Sequence, residues 1–279
     1  MSRGGLFNSS DSSSWSNIGN YSMGLEMNLG YSDNATYGHD TVALGVSEAT
    51  GSPNLDSQVV ATFESTGVVR SLTLGSYDSS RLVLSNVSFS LAPNVSRDLV
   101  VGLQSITAKY ANGSAVSLQS EPIWTFIDST IPYIYLPLDA CKLSEKTFGL
   151  IWNTTHQKYF VDDILHENLV EESSNITFTL GTSEIGGSTV DICLPYSSFD
   201  LVMDDPLVPS SLSGIRYFPL MRAANQSQYT LGRTFLQEAY VITNYEQSNF
   251  SVFQSKFEDG AKPDIVAIPL ASTAVVPLK

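Results

Sequence analysis

Between residues 82 and 136, apolar positions come in short alternating runs cut by Asn, Gly, Ser and Pro, the period of half-buried strands rather than of helices. Leu82–Leu84 with Val87–Phe89, Asp98–Val101 with Gln104–Tyr110, Ala115–Leu118, Trp124–Ile127 and Tyr133–Leu136 all read as strands. Ala111-Asn112-Gly113-Ser114 reads as a hairpin turn, because Asn-Gly supplies the positive φ that a tight turn requires. Further strands are predicted at Ile176–Leu180, Thr189–Leu194, Gln228–Leu231, Ala239–Asn244 and Phe250–Phe253. Helical spacing is scarce and predicts only Leu138–Thr147 and Lys158–Glu167. From residue 258 to 279 the chain turns to Gly, Pro, Ala and Val without alternation, as a tail or linker does. The pattern is that of an all-β protein with a few short helices.

Composition narrows the function classes. A chain of 279 residues with 42% hydrophobic residues can bury a substantial core. Against 28 acidic residues stand 14 basic ones, a net charge of -14, so attraction to a phosphate backbone is absent and nucleic acid is not an expected partner. Asp162-Asp163, Glu171-Glu172 and Asp204-Asp205 read as solvated loop faces, with no calcium-loop ladder around them. No metal site is expected from His39, His156 and His166, which show no ligand spacing to a cysteine, and no cofactor is implied. Gly-x-Ser-x-Gly, P-loop, Rossmann and His-Glu-x-x-His signatures are absent.

Asn-x-Ser/Thr acceptors stand at Asn8, Asn20, Asn34, Asn86, Asn94, Asn112, Asn153, Asn175, Asn225 and Asn249, ten of the fifteen asparagines. Chance in so Ser/Thr-rich a chain gives about three. The excess predicts a glycoprotein that is secreted or displayed at the cell surface. Residues 1–6 have no apolar stretch of signal-peptide length, so a leader is expected upstream. Ile265–Ala271 is too short and too interrupted by Pro269 to span a bilayer. Cys141 and Cys193 suit one disulfide in an oxidising compartment, worth roughly 4 kcal/mol on the chain-entropy view, with free structural thiols as the alternative.

The chemistry centres on Asp128. In Thr125-Phe126-Ile127-Asp128-Ser129-Thr130-Ile131-Pro132-Tyr133-Ile134-Tyr135-Leu136-Pro137 an acid sits between two apolar runs and is followed by small hydroxyl residues, a pattern that places a hydrogen-bonded carboxylate at the end of a buried strand. This segment resembles the second catalytic turn of pepsin-like aspartic peptidases of the fungal secreted or cell-surface type. Tyr229-Thr230-Leu231-Gly232-Arg233-Thr234-Phe235-Leu236 resembles the strand that packs beside that turn, with Leu231 and Gly232 as its scaffold. From Leu72 to about Phe253 the chain resembles the family's C-terminal lobe. Leu6–Trp15 resembles the loop after the first catalytic turn, and Tyr37–Val42 the strand after the flap, which makes Tyr31 a candidate flap tyrosine, with an ordinary packed or surface tyrosine as the alternative.

The resemblance implies a bilobal pepsin-like acid protease fold with a truncated first lobe: 1–70 a remnant of the N-terminal lobe, 71–257 the C-terminal lobe, 258–279 a tail or linker. It implies peptide-bond hydrolysis by an Asp dyad, with peptide or protein as substrate. Three departures bear on activity. Of Asp11, Asp40, Asp56, Asp78 and Asp128, each followed by Ser or Thr, only Asp128 has apolar strands on both sides, so the first catalytic Asp is expected upstream of residue 1. The stretch from Val42 to Leu74 is too short for the rest of a first lobe. Thr130 stands where the family has Gly, and a β-branched residue there is expected to crowd the turn. The alternative is therefore a non-catalytic pseudopeptidase, a binding or structural glycoprotein of the cell surface.

Overall fold

The computed structural model describes residues 9–23, 27–29, 33–40, 60–65, 68–73, 75–94, 97–203, 212–258 and 261–268. The chain divides into two compact units, Met1–Tyr77 and Asp78–Lys279. In the first, strands β1 (Ser16–Met23) and β2 (Asp33–His39) pair antiparallel, with a bulge between Asn17 and Gly19. The rings of Tyr21 and Tyr37 meet edge-on across that pair at 5.7 Å. A second hairpin joins β3 (Val60–Ser65) to β4 (Val68–Thr73). Strand β5 (Ser76–Asp78) lies at the division between the units.

The second unit contains, in chain order, β6 (Phe89–Ser90), β7 (Val100–Lys109), β8 (Ala115–Ser117), β9 (Ile123–Ile127), β10 (Ile134–Leu136), α1 (Leu138–Phe148), β11 (Ile151–Asn153), β12 (Lys158–Phe160) and α2 (Asp163–Glu172). It continues through β13 (Asn175–Gly181), β14 (Thr189–Pro195), β15 (Leu201–Val202), β16 (Arg216–Phe218), β17 (Leu220–Arg222), β18 (Thr230–Leu231), β19 (Ala239–Asn244), β20 (Asn249–Gln254) and β21 (Ile265–Ala267). Its main sheet runs β14-β13-β7-β9-β18-β10-β17, with β8 paired to β7. Two smaller sheets run β11-β12-β16-β15 and β19-β20-β6. The architecture is mainly β with two α-helices among the described residues.

Strand β7 shows how the core is reached. Val101 and Leu103 are fully buried, and so are Ile106 and Ala108, which lie on the opposite parity. The change of phase falls where the β7–β13 register slips, between Ser105↔Thr179 and Leu103↔Leu180, leaving Gln104 as the extra residue of a bulge. Both halves of one strand therefore point inward, where two strands were expected. The bulged Gln104 sends its amide to the carbonyls of Ser183 and Gly186 at 2.9 and 2.6 Å, which pins the loop leading to β14. Inside, Phe178 packs edge-on against Phe235 at 5.7 Å, and Phe218 is stacked between Phe148 and Phe199 at 5.7 and 4.8 Å.

Helix α1 ends at Gly149, in the left-handed region at φ 70°, whose N–H bonds to the Glu145 carbonyl. Across the helix, Glu145 accepts from Arg222 at 2.7 Å and from the Tyr159 hydroxyl at 2.6 Å, which ties α1 to β17 and β12. Helix α2 begins five residues later than the expected Lys158–Glu167. Lys158–Phe160 is strand β12, paired on both sides, and Asp162 caps the helix by accepting from the Leu165 N–H at 2.8 Å. Within 258–279, expected as a tail or linker, Asp264 bonds back to the second unit. The Asp264 N–H donates to Asp78 Oδ1 at 2.9 Å and its carbonyl accepts from the Ser79 N–H at 2.8 Å, before Ile265–Ala267 continues as β21.

Candidate functional site

Strand β9 is buried over its last three residues and delivers Asp128 at its end, 7% exposed. Strand β18 lies beside it in parallel, Thr230 opposite Phe126 and Leu231 opposite Ile127, while β10 runs antiparallel on the far side of β18. The turn from Asp128 to Tyr133 thus carries the chain around a strand that bonds to both of its arms. Each contact is a backbone bond: Asp128 N–H to Leu231 O at 3.1 Å, Gly232 N–H to Tyr133 O at 3.1 Å, and Thr234 N–H to Pro132 O at 3.1 Å. The Thr234 hydroxyl adds a second bond to Pro132 O at 2.8 Å. Gly232 is obligatory at this crossing, because a Cβ there would lie 2.2 Å from Tyr133 O and 2.4 Å from Ile131 O.

The two oxygens of Asp128 are treated differently. Oδ1 accepts from the Thr130 N–H at 2.7 Å and the Thr130 hydroxyl at 2.8 Å. Oδ2 is buried and has no hydrogen-bond partner among the described residues. A buried carboxylate oxygen without a donor is costly, so this atom is where a water, a ligand or a second acid gains most by binding. Thr130 does not have a positive φ. Within the turn it therefore does not crowd as expected, because its exposed side chain folds back as a donor to the carboxylate.

Ser129 is also exposed, and the Arg233 guanidinium clasps the turn from outside, Nη1 donating to the carbonyls of Ser129 at 3.2 Å and Thr130 at 2.9 Å. Arg233 was not singled out by sequence reasoning. It occupies a free position of the Leu-Gly-x-x-Phe segment, and a contact to carbonyl oxygens leaves no residue-type signature.

The other expected site residues are scattered. Tyr31 lies outside the described residues, as does Asn8. Asn20, Asn34, Asn86, Asn94, Asn112, Asn175 and Asn225 are exposed, and Asn153 and Asn249 are half-buried. Asn112 and Asn225 each accept from the backbone and hydroxyl of the Ser two residues on.

The expected Cys141–Cys193 disulfide is not formed, and both thiols are free. Cys193 is on β14 at one edge of the main sheet, whereas Cys141 is on α1 near its other end, with Sγ 3.7 Å from Leu136 O on β10 and 3.6 Å from Met221 O on β17. Five strand-to-strand steps separate β14 from β10, about 24 Å at the usual spacing, too far for a bridge. Burial pushes the Cys141 thiol up to about 12, with Glu145 adding to the shift.

No protein-family model matches the chain, and no curated protein matches it. Among solved structures, an aspartic proteinase from Irpex lacteus superposes with a TM-score of 0.48 and 16% identity, over 68% of this chain and 53% of that one. The chain thus spans about half the length of that protein. No described helix is long and apolar enough to cross a membrane.

Proposed function

We propose that this chain is an aspartic-peptidase-family protein that holds a peptide at the Asp128 turn, with residues 71–257 as its second lobe and 1–70 as a remnant of the first. One observation carries the reading: a buried acid at the end of β9, in a turn wrapped around β18, with Oδ1 held by two donors and Oδ2 bare. Peptide hydrolysis by this chemistry needs two carboxylates sharing one proton, one acting as base on a water while the other donates to the scissile carbonyl. Asp128 supplies one of them through Oδ2. Catalysis therefore depends on a second acid reaching that oxygen, which no described residue does. The seven exposed acceptor asparagines support a secreted or cell-surface glycoprotein.

A second reading, a non-catalytic peptide binder on the same scaffold, is favoured by Thr130, whose hydroxyl commits Oδ1 in a way that glycine cannot. Digestion of a denatured protein by the full chain at acid pH separates the two. Cleavage that pepstatin blocks and Asp128→Asn abolishes supports the peptidase. A folded chain that retains peptides without cutting them supports the binder, and one that neither cuts nor binds overturns both.

A further inference from the structure

The half-buried cations of the second unit are answered from within it. Arg222 meets Glu145 at 2.7 Å, Arg81 meets Asp78 at 3.0 Å, Arg216 meets Asp163 at 3.1 Å, and Arg97 donates to the Ser227 carbonyl. Lys158 on β12 is the exception. Its ammonium stands 4.4 Å above the ring of Tyr133 and 4.0 Å from Met221 Sδ, and it forms no ion pair with a described carboxylate, in a chain with twice as many acids as bases. A cation held partly out of water is ordinarily paired, and the contact with a tyrosine face replaces only part of the lost hydration. Burial accordingly pulls its pKa below that of an ordinary lysine.

The surroundings tie this cation to the turn. Tyr133 is the last residue of the Asp128 turn, and its carbonyl receives the Gly232 N–H. Its ring meets Tyr217 of β16 edge-on at 6.1 Å, and Tyr133, Lys158 and Tyr217 are all half-buried, so none is sealed from an incoming group. A single ammonium is a compact point charge that one peptide carboxylate neutralises.

We propose that Lys158, seated on the Tyr133 ring, binds a carboxylate of the peptide held at the Asp128 turn and so selects acidic peptides. The inference rests on the peptide-binding reading above. The test is titration of the full chain near neutral pH with a capped octapeptide series, acetylated and amidated, in which Glu replaces Gln at each position in turn. One further member carries a free C-terminal carboxylate.

At one position Glu is expected to bind about tenfold or more tighter than Gln, as a charge-assisted contact does. Lys158→Met should erase that advantage without weakening the Gln peptide, and Lys158→Arg should keep most of it. An advantage found only with the free terminus supports the site and identifies the terminal carboxylate as its source. No advantage for any carboxylate, or one that survives in Lys158→Met, overturns the site while leaving peptide binding standing. Failure of every peptide to bind overturns the peptide reading as well. Where Lys158→Met does not fold, the absence of a Glu advantage in the unmodified protein still overturns the site, and Lys158→Gln takes the place of that variant where an advantage is found.

Discussion

Asp78→Asn is the most informative single substitution outside the turn, because the two oxygens of that side chain have separable partners. Asp78 is 2% exposed. Oδ1 accepts from the Ser80 N–H at 3.1 Å, the Ser80 hydroxyl at 2.7 Å and the Asp264 N–H at 2.9 Å, whereas Oδ2 accepts only from Arg81 Nε at 3.0 Å. Asparagine can keep all three bonds at Oδ1, but it sets an NH2 against the Arg81 N–H, donor facing donor. The loss is one charge-assisted bond, trimmed by the water that still reaches Arg81, or about 2 kcal/mol at neutral pH.

The pH dependence carries a definite sign. Burial opposes ionisation of Asp78, but the Ser80 hydroxyl, the amides of Asp264 and Ser80, and Arg81 outweigh it and hold the carboxyl below its ordinary value. A depressed folded-state pKa means stability that is complete above the unfolded value, about 3.9, and lost as pH falls through the folded one. Urea unfolding of wild type and variant should therefore differ by about 2 kcal/mol from neutrality down to about pH 5, with the gap closing below about pH 4. A gap under about 0.5 kcal/mol at neutral pH, or one undiminished at about pH 3 with both proteins still folded, refutes the reasoning.

Two further outcomes follow from the same geometry. Gly232→Ala should cost about 3 kcal/mol or prevent folding, since its Cβ would press on two backbone carbonyls rather than on a flexible side chain; a melting temperature within about 2 °C of wild type contradicts this. In the native chain, thiol labelling near neutral pH should mark Cys193 and spare Cys141, which is buried with its thiol pushed up to about 12; a Cys141–Cys193 crosslinked peptide in a non-reducing digest contradicts it.

Sequence pattern disclosed element type where one apolar face persists and misplaced it where local packing changed the phase, while the strand expected at Leu82–Leu84 is only an isolated bridge from Leu82 to Ser255. Ile176–Leu180 lies inside β13, and Leu138–Thr147 inside α1, because one apolar face persists through each. The single strand β7 read as two because the Gln104 bulge moves the buried set from odd to even positions, and a bulge is visible only against its partner. Lys158–Phe160 fitted a helical pattern, yet pairing on both sides makes it a strand, and Asp162 was the cap that marked the true start of α2. The return of Asp264 to Asp78 spans 186 residues and is made largely through the backbone N–H and carbonyl of Asp264, to which side-chain pattern is blind. Asp128 was legible because burying an acid between two strands is costly enough to demand a reason. The cysteine count, by contrast, carried no information about where the two thiols lie in the sheet.

Thr130 and Arg233, at first sight unrelated departures, act on one structure. By donating to the carbonyls of Ser129 and Thr130, Arg233 fixes the peptide planes on both sides of the Thr130 Cα. With that backbone held, the Thr130 N–H and hydroxyl reach the same carboxylate oxygen, at 2.7 and 2.8 Å. A glycine would present only the N–H, and a lysine in place of Arg233 would have only a compact ammonium with which to bridge two carbonyls. The turn therefore spends two donors on Oδ1 and none on Oδ2, so a donor that reaches Asp128 gains most at the oxygen left bare.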